Sequence, residues 1–340
     1  MAAPRVVCVG EGLAVLVADP GPLEQSETFH RTAGGAEANV ARVLVQLGIE
    51  AAWVSRVGDD GFGRYLVAEL DAAGVDTSGV IVDSGRPTGL YIKERGSGSD
   101  HRHDLPLGDS AMTYYRSLSA ATALSPNDIH DEVQASIDCA DLVHFTGITV
   151  AISPTAEQLT RSLMARPSTV SFDLNYRPAL WAGRSDDAAR VLGEHVRGSD
   201  IVSMGADEAA SVFGTSSPIE LREMFPEPRH LVIKNDAHTV TAFEGVARVD
   251  VPALTLDVVE KIGAGDAFAG GFLAALLMGY SAAQRVRFGH LCAAGALTGH
   301  GDVAKVLPHD ELAALAGTDD NAWATLDYAA VAAVHTEAAL

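Results

Sequence analysis

The chain has 340 residues, 47% of them hydrophobic, and carries 24 Lys and Arg against 45 Asp and Glu, a formal charge of -21. That length suits one large or two medium domains with a sizeable core. The acidic total argues against a nucleic-acid partner and leaves room for a local basic pocket and a small anionic substrate. No apolar run reaches membrane-spanning length and no basic-then-apolar leader opens the chain, which predicts no membrane partner. Cys8, Cys139 and Cys292 are isolated, in apolar settings and without metal-ligand spacing, as expected of reduced thiols in the cytoplasm.

Arg5 to Gly10 reads as a buried strand, and Leu13 to Ala18 as a second that ends at Asp19-Pro20-Gly21-Pro22. Thr28 to Thr32 is a short polar edge strand. The pair Gly34-Gly35 precedes a helix closed by Gly48, with Asn39 offering both a donor and an acceptor; a ligand site and a plain turn explain this stretch equally well. Ala51 to Val57 is a strand, and Gly63 to Ala73 a helix ended by Gly74. Strand-then-helix units of this length indicate a parallel sheet covered by helices. Thr88 to Arg95 and Ala111 to Ser117 differ: two strands with no helix between them predict a small antiparallel flap. In the loop that joins them, His101 and His103 with Asp100 and Asp104 offer metal ligands, though a solvated loop has the same composition.

Asp141 to Phe145 is a strand, and Ser153-Pro154 caps and opens a helix. Thr169 to Arg177 is the next strand; Asp173, Asn175 and Arg177 alternate along it and would share one face, marking either a site at the strand end or a hydrogen-bonded junction. Ile201 to Met204 and His230 to Asn235 are further strands, with Asp207 and Glu208 opening a helix between them. Val246 to Val251 and Leu254 to Val259 form a late strand pair. Then come the Gly263-Ala264-Gly265 turn, Asp266, and a helix with Phe268, Phe272, Leu273, Leu276 and Leu277 inward, stopped by Gly279. The N–H groups of Gly263, Ala264, Gly265 and Asp266, with the helix dipole, make an anion hole beside a carboxylate able to take a hydroxyl proton. Phosphoryl transfer needs that pairing. A structural helix start explains the turn by itself equally well. Arg285 to Thr298 is a helix of mostly apolar and small residues broken by Arg287 and His290, and residues 318–340 are an Ala-rich tail whose composition permits a helix.

Two motifs together, GGAEANVA from Gly34 and GAGDAFAGGF from Gly263, resemble the paired signatures of the ribokinase-like (PfkB) carbohydrate kinases. The resemblance covers roughly Arg5 to Gly317. It implies an α/β fold: a three-layer αβα sandwich with a mainly parallel central sheet, one kinase domain over 1–317, and a small β-sheet lid from about 12–32 and 88–117. Within the family, TGLYIKE, MTYYRSLSAATALSP, LVHFTGITVAISP and DLNYRPALW are similar to the 2-keto-3-deoxygluconate kinases. This implies that Gly34, Gly35 and Asn39 bind sugar hydroxyls, that Tyr91, Tyr114 and Arg116 reach down from the lid, and that Arg177 enters beside Asp173 and Asn175. It also implies ATP and Mg²⁺, Asp266 as base, and a homo-oligomer formed through the lid. Two arginines on one pocket suit a carboxylate, whereas each alone suits an ion pair.

The nucleotide side departs from the family pattern. Gly205 stands where Asn is usual, leaving Glu208 alone for water-mediated magnesium. The usual Lys-x-Gly-x-x-Gly becomes Lys234-Asn235-Asp236-Ala237-His238-Thr239, with Asp236 a negative charge near the polyphosphate path. Glu260-Lys261 replaces Asp-Thr or Asp-Pro, which weakens the case for a monovalent cation and offers Lys261 as a fixed charge. His290 stands where an Asn often meets adenine. The expectation is an ATP-dependent kinase of 2-keto-3-deoxygluconate; the alternatives are a kinase of a fructose- or ribose-type sugar, or a sugar-acid-binding protein with impaired transfer.

Overall fold

Alternate residues of the first strand fall into different cores. Val6 and Cys8 join one apolar cluster, Val7 and Val9 another, so the strand is covered on both faces. A computed structural model describes residues 5–184, 187–235, 238–299 and 304–332. The strands are β1 (Arg5–Val9), β2 (Leu13–Ala18), β3 (Phe29–Gly34), β4 (Glu50–Gly58), β5 (Val80–Asp83), β6 (Leu90–Arg95), β7 (Ser110–Tyr115), β8 (Leu142–Thr146), β9 (Thr169–Asp173), β10 (Ile201–Gly205), β11 (His230–Asn235), β12 (Thr239–Glu244) and β13 (Ala247–Pro252). Nine of them form one sheet in the order β13-β12-β11-β10-β9-β8-β1-β4-β5, parallel except that β12 runs antiparallel to both β11 and β13. The other four form the lid, in the order β3-β2-β6-β7.

One helical layer includes Ala36–Gln46, Ala264–Leu277 and Ala282–Leu297; the other includes Pro154–Met164 and Ala188–Arg197. The result is the expected three-layer α/β sandwich with a small sheet above it. The apolar face of the lid is a cluster of its own, Leu13, Val15, Val17 and Tyr91. Among the described residues no helix is long and apolar enough to cross a membrane.

Several boundaries differ from the sequence reading. The strand from Thr169 stops at Asp173, because Asn175 turns left-handed (φ 36°) and Pro178 begins a short helix. Leu254 to Val259 is no strand: it has no ladder partner, and the N–H of Val259 bonds the Leu297 carbonyl at 2.8 Å instead. The late pair is β12 with β13, joined through Gly245 at φ 57°. Cys139 is exposed rather than set among apolar groups. Beyond Gly317 the chain is helical over Asp320–Ala324, and Trp323 and Tyr328 are 2% exposed within the main core. The Trp323 indole donates to the Pro252 carbonyl at 3.0 Å, so this segment is part of the packed body.

Candidate active site

The parallel strands end where the lid overhangs, and two cavities meet there. The first, about 400 Å³, lies under the lid. Leu13, Tyr91, Met112, Tyr114 and Arg116 roof it, while Glu11, Gly35, Asn39, Asp173, Asn175 and Arg177 form its walls. The second, about 550 Å³, is lined by Gly205, Asp207, Val240, Leu254, Leu256, Phe268, His290 and Leu297. Glu208, Lys234, Lys261 and Gly265 line both, so a group passing from one to the other crosses these four residues.

Gly263 is the N-cap of the helix Ala264–Leu277 and sits left-handed at φ 77°, a conformation that favours glycine. It turns the chain so that Asp266 lies in the first helical turn, facing the first cavity. Asp266 Oδ2 accepts from Asn39 Nδ2 at 2.9 Å, which joins the two motifs directly. Burial pushes the Asp266 carboxyl up to about 7, against the Asn39 hydrogen bond, with the Asp173 and Glu37 charges adding to the rise. A carboxylate tuned to that value is half ionised near neutrality, as a general base requires.

Asn39 is set by its helix, whose start depends on Gly35. That residue has φ 132°, and a Cβ there would lie 2.4 Å from the Glu11 carbonyl oxygen. Gly34 differs from expectation: it pairs with Leu13 in the lid sheet and is not among the cavity-lining residues. Asn39 Oδ1 and Asn175 Oδ1 are buried acceptors with no hydrogen-bond partner among the described residues.

Both arginines are already engaged. Arg116 pairs through Nη2 with Glu11 Oε2, and Arg177 Nη1 lies 3.0 Å from Glu208 Oε1. Burial raises the Glu11 carboxyl and Arg116 opposes that. The cavity under the lid therefore holds four acidic groups (Glu11, Asp173, Glu208, Asp266) and four basic ones (Arg116, Arg177, Lys234, Lys261).

Lys234, expected beside the nucleotide, stands at the junction with its Nζ 2.8 Å from Asp173 Oδ2. Burial works against its charge, but the Asp173 and Glu208 carboxylates outweigh that and keep the ammonium firmly protonated. Asp236 and Ala237 lie outside the described residues. His290 lines the second cavity, with Nε2 3.4 Å from the Val251 carbonyl and its ring against Phe268 and Trp323. Burial lowers its pKa to about 4, leaving it neutral.

Glu208 accepts the Gly205 N–H at 3.1 Å, and burial, then the Asp173 charge, raise its pKa. Among the described residues the one group of three ligating side chains within reach of a single ion is Glu24, His101 and His103, exposed at the lid tip. The expected ligand Asp104 is instead occupied by Ser97 and Ser99. Among the described residues no three ligating side chains of the cavities come within reach of a single ion, and Glu208 lines both cavities.

Sequence reading missed Glu11 and Glu37. Glu37 is fully buried and accepts from Thr146 and Thr149, pinning the Asn39 helix to the end of β8. Glu11 followed an apolar strand in a Gly-Glu-Gly sequence, which was the available signal.

A family model of the pfkB family carbohydrate kinases matches residues 3–310. The chain is 35% identical over 277 residues to a 2-dehydro-3-deoxygluconokinase of Thermoproteus tenax, covering 81% of this chain and 82% of that one. It is 30% identical over 316 residues to a 2-dehydro-3-deoxygluconokinase of Bacillus subtilis, covering 90% and 94%. A sugar kinase of Pyrococcus horikoshii, solved in complex with ATP, superposes with a TM-score of 0.75 at 26% identity, covering 90% of this chain and 96% of that one. With its two motifs joined by the Asn39–Asp266 hydrogen bond and the family model spanning nearly its whole length, the chain belongs to the pfkB family of carbohydrate kinases.

Proposed function

We propose that the protein phosphorylates the terminal hydroxyl of 2-keto-3-deoxygluconate from ATP, giving the 6-phosphate. The observation that carries this is Asp266, at the helix start on the wall of the first cavity beside the shared Gly265, with its carboxyl near 7. The names of the relatives favour the sugar acid. The sugar acid sits under the lid, its carboxylate toward Arg116 and Arg177 and its hydroxyls toward Asn39 and Asn175. ATP takes the second cavity with its γ-phosphate at the Gly263–Gly265 turn. Asp266 accepts the proton of the terminal hydroxyl as that oxygen attacks the γ-phosphorus, the bond to the β–γ bridging oxygen breaks and ADP leaves. The turn's N–H groups and Lys234 stabilise the charge on the moving group. Mg²⁺ would arrive on the triphosphate and neutralise phosphate charge, with Glu208 the residue to hold it through water. The lid excludes water. We place the reaction in the cytoplasm, where ATP is at hand, and assign the exposed apolar lid side chains Phe29, Met112 and Tyr115 to contact with a second copy.

The test is ATP-dependent turnover of 2-keto-3-deoxygluconate by wild type and Asp266→Asn, beside fructose and ribose. Loss in the variant supports the reading; undiminished turnover there removes Asp266 as the base. One observation favours a neutral sugar instead: both arginines are balanced by glutamates before any ligand binds. Higher kcat/KM for fructose or ribose than for the sugar acid would establish that alternative. Calorimetry showing sugar-acid binding without nucleotide binding would leave only a binding protein.

A further inference from the structure

One buried charge pair has no part in the chemistry above. Lys93 lies on β6 two residues beyond Tyr91, on the same buried face of the strand. Its side chain is 0% exposed, and its Nζ is ion-paired with Oε1 of Glu260, itself 5% exposed. Packing does not call for a lysine there. The lid face beside it is apolar, and Lys93 is paired in register with Val17 of that cluster. Glu260 belongs to the body and stands three residues before Gly263. Its backbone N–H, with that of Val259, bonds the Leu297 carbonyl at 3.2 and 2.8 Å. A lid strand that carries a roof tyrosine is thus fastened by opposite charges to the segment that leads into the anion-binding turn.

We propose that the Lys93–Glu260 pair is a latch holding the lid onto that turn, and that Lys93 is a positioning residue for phosphoryl transfer. Two opposite charges withdrawn from water hold each other strongly, and removal of Lys93 takes from the buried Glu260 carboxylate its ion-pair partner. The latch fixes the distance between the sugar acid, held from above by the lid, and the turn that receives the phosphoryl group. Misplacement of reacting groups by a fraction of an ångström costs rate more than affinity. The inference rests on the kinase reading for its catalytic consequence, while the mechanical coupling of lid to turn stands apart from it.

The variants are Lys93→Met, Glu260→Gln and the double variant, each read by turnover, by calorimetry with the sugar acid, and by hydrogen–deuterium exchange without ligand. We expect each single variant to lose about tenfold or more in kcat while the sugar-acid Kd moves less than about threefold. Exchange should quicken selectively over 88–95 and 259–266. The double variant should be no slower than the worse single one, because both remove the same interaction. A folded Lys93→Met protein with kcat within about twofold of wild type overturns the proposal, as do additive losses in the double variant. Exchange that quickens uniformly, with a lower melting temperature and unchanged kcat per folded molecule, also overturns it by showing a purely structural pair. Should Lys93→Met fail to fold, Glu260→Gln carries the same test. Absence of kinase activity in wild type would sink the kinase reading, and the exchange comparison would still decide the latch.

Discussion

Replacing the proposed base should make the protein more stable, and only above a defined pH. Asp266 has its carboxyl raised from 3.8 to about 7 by burial. The sign follows from proton counting: between about 4 and 7 the folded state keeps a proton that the unfolded chain has lost, so stability falls as pH rises through that window. Above 7 the whole penalty is present. At about 1.4 kcal/mol per pH unit, the interval from 3.8 to about 7 amounts to about 4 kcal/mol, an upper bound because Asp266 faces a solvent-filled cavity. Asparagine cannot ionise, and its carbonyl oxygen still accepts from Asn39. Asp266→Asn should therefore match wild type in urea denaturation at pH 4 and exceed it by about 2–4 kcal/mol at pH 8. Its kcat should meanwhile fall by about 10²–10⁴. Equal differences at the two pH values, or a less stable variant at pH 8, would refute the burial argument. In wild type the same ionisation should appear as a rise of kcat/KM with pH through about 7.

Arg116→Met removes one of the two guanidinium groups under the lid and strands the buried Glu11 carboxylate. KM for the sugar acid should rise about tenfold or more while KM for ATP holds, and the Glu11→Gln/Arg116→Met pair should recover stability but not affinity. Gly35→Ala forces a side chain onto a left-handed residue and against the Glu11 carbonyl, so calorimetry should show a loss of about 2 kcal/mol or more, with turnover falling as Asn39 shifts. Trp323→Ala empties a site behind His290 and should cost about 3–5 kcal/mol, and the KM for ATP should rise more than that for the sugar acid; the reverse order would break the assignment of the second cavity.

What the sequence made legible was local. Gly263 and Asp266 stand in a fixed arrangement within a few residues, as do Gly35 and Asn39, and glycines at such turns announce backbone conformations that only they adopt readily. The strand and helix repeat implied the parallel sheet, and the helix-free gap between 88 and 117 implied the lid. What stayed hidden was partnership. Leu254 to Val259 alternates as well as β12 does, but only β12 has a neighbour to bond. The arginines looked available because their glutamates lie elsewhere: Glu11 is far from Arg116 in the chain, and Glu208 pairs with Arg177 across two strands. The pairing of Lys93 with Glu260 was invisible for the same reason. Asp173, Asn175 and Arg177 alternate as residues of a strand do, whereas the left-handed Asn175 brings the same side chains to the cavity by another path.

The order in which the two cavities draw on the chain bears on synthesis. Most residues that line only the first cavity, from Glu11 to Arg177, precede Gly205, with Ile262, Gly263 and Asp266 the exceptions, and the second cavity draws on residues from Gly205 to Leu297. A nascent chain therefore makes the lid and most of the first cavity's walls before any of the second cavity exists. Asp266 and the turn that would receive the γ-phosphate emerge among the later pieces, ahead of the His290 helix that lines the second cavity. On the proposed assignment of ATP to the second cavity, a half-made molecule on the ribosome would have nowhere to hold ATP and no means of wasting it.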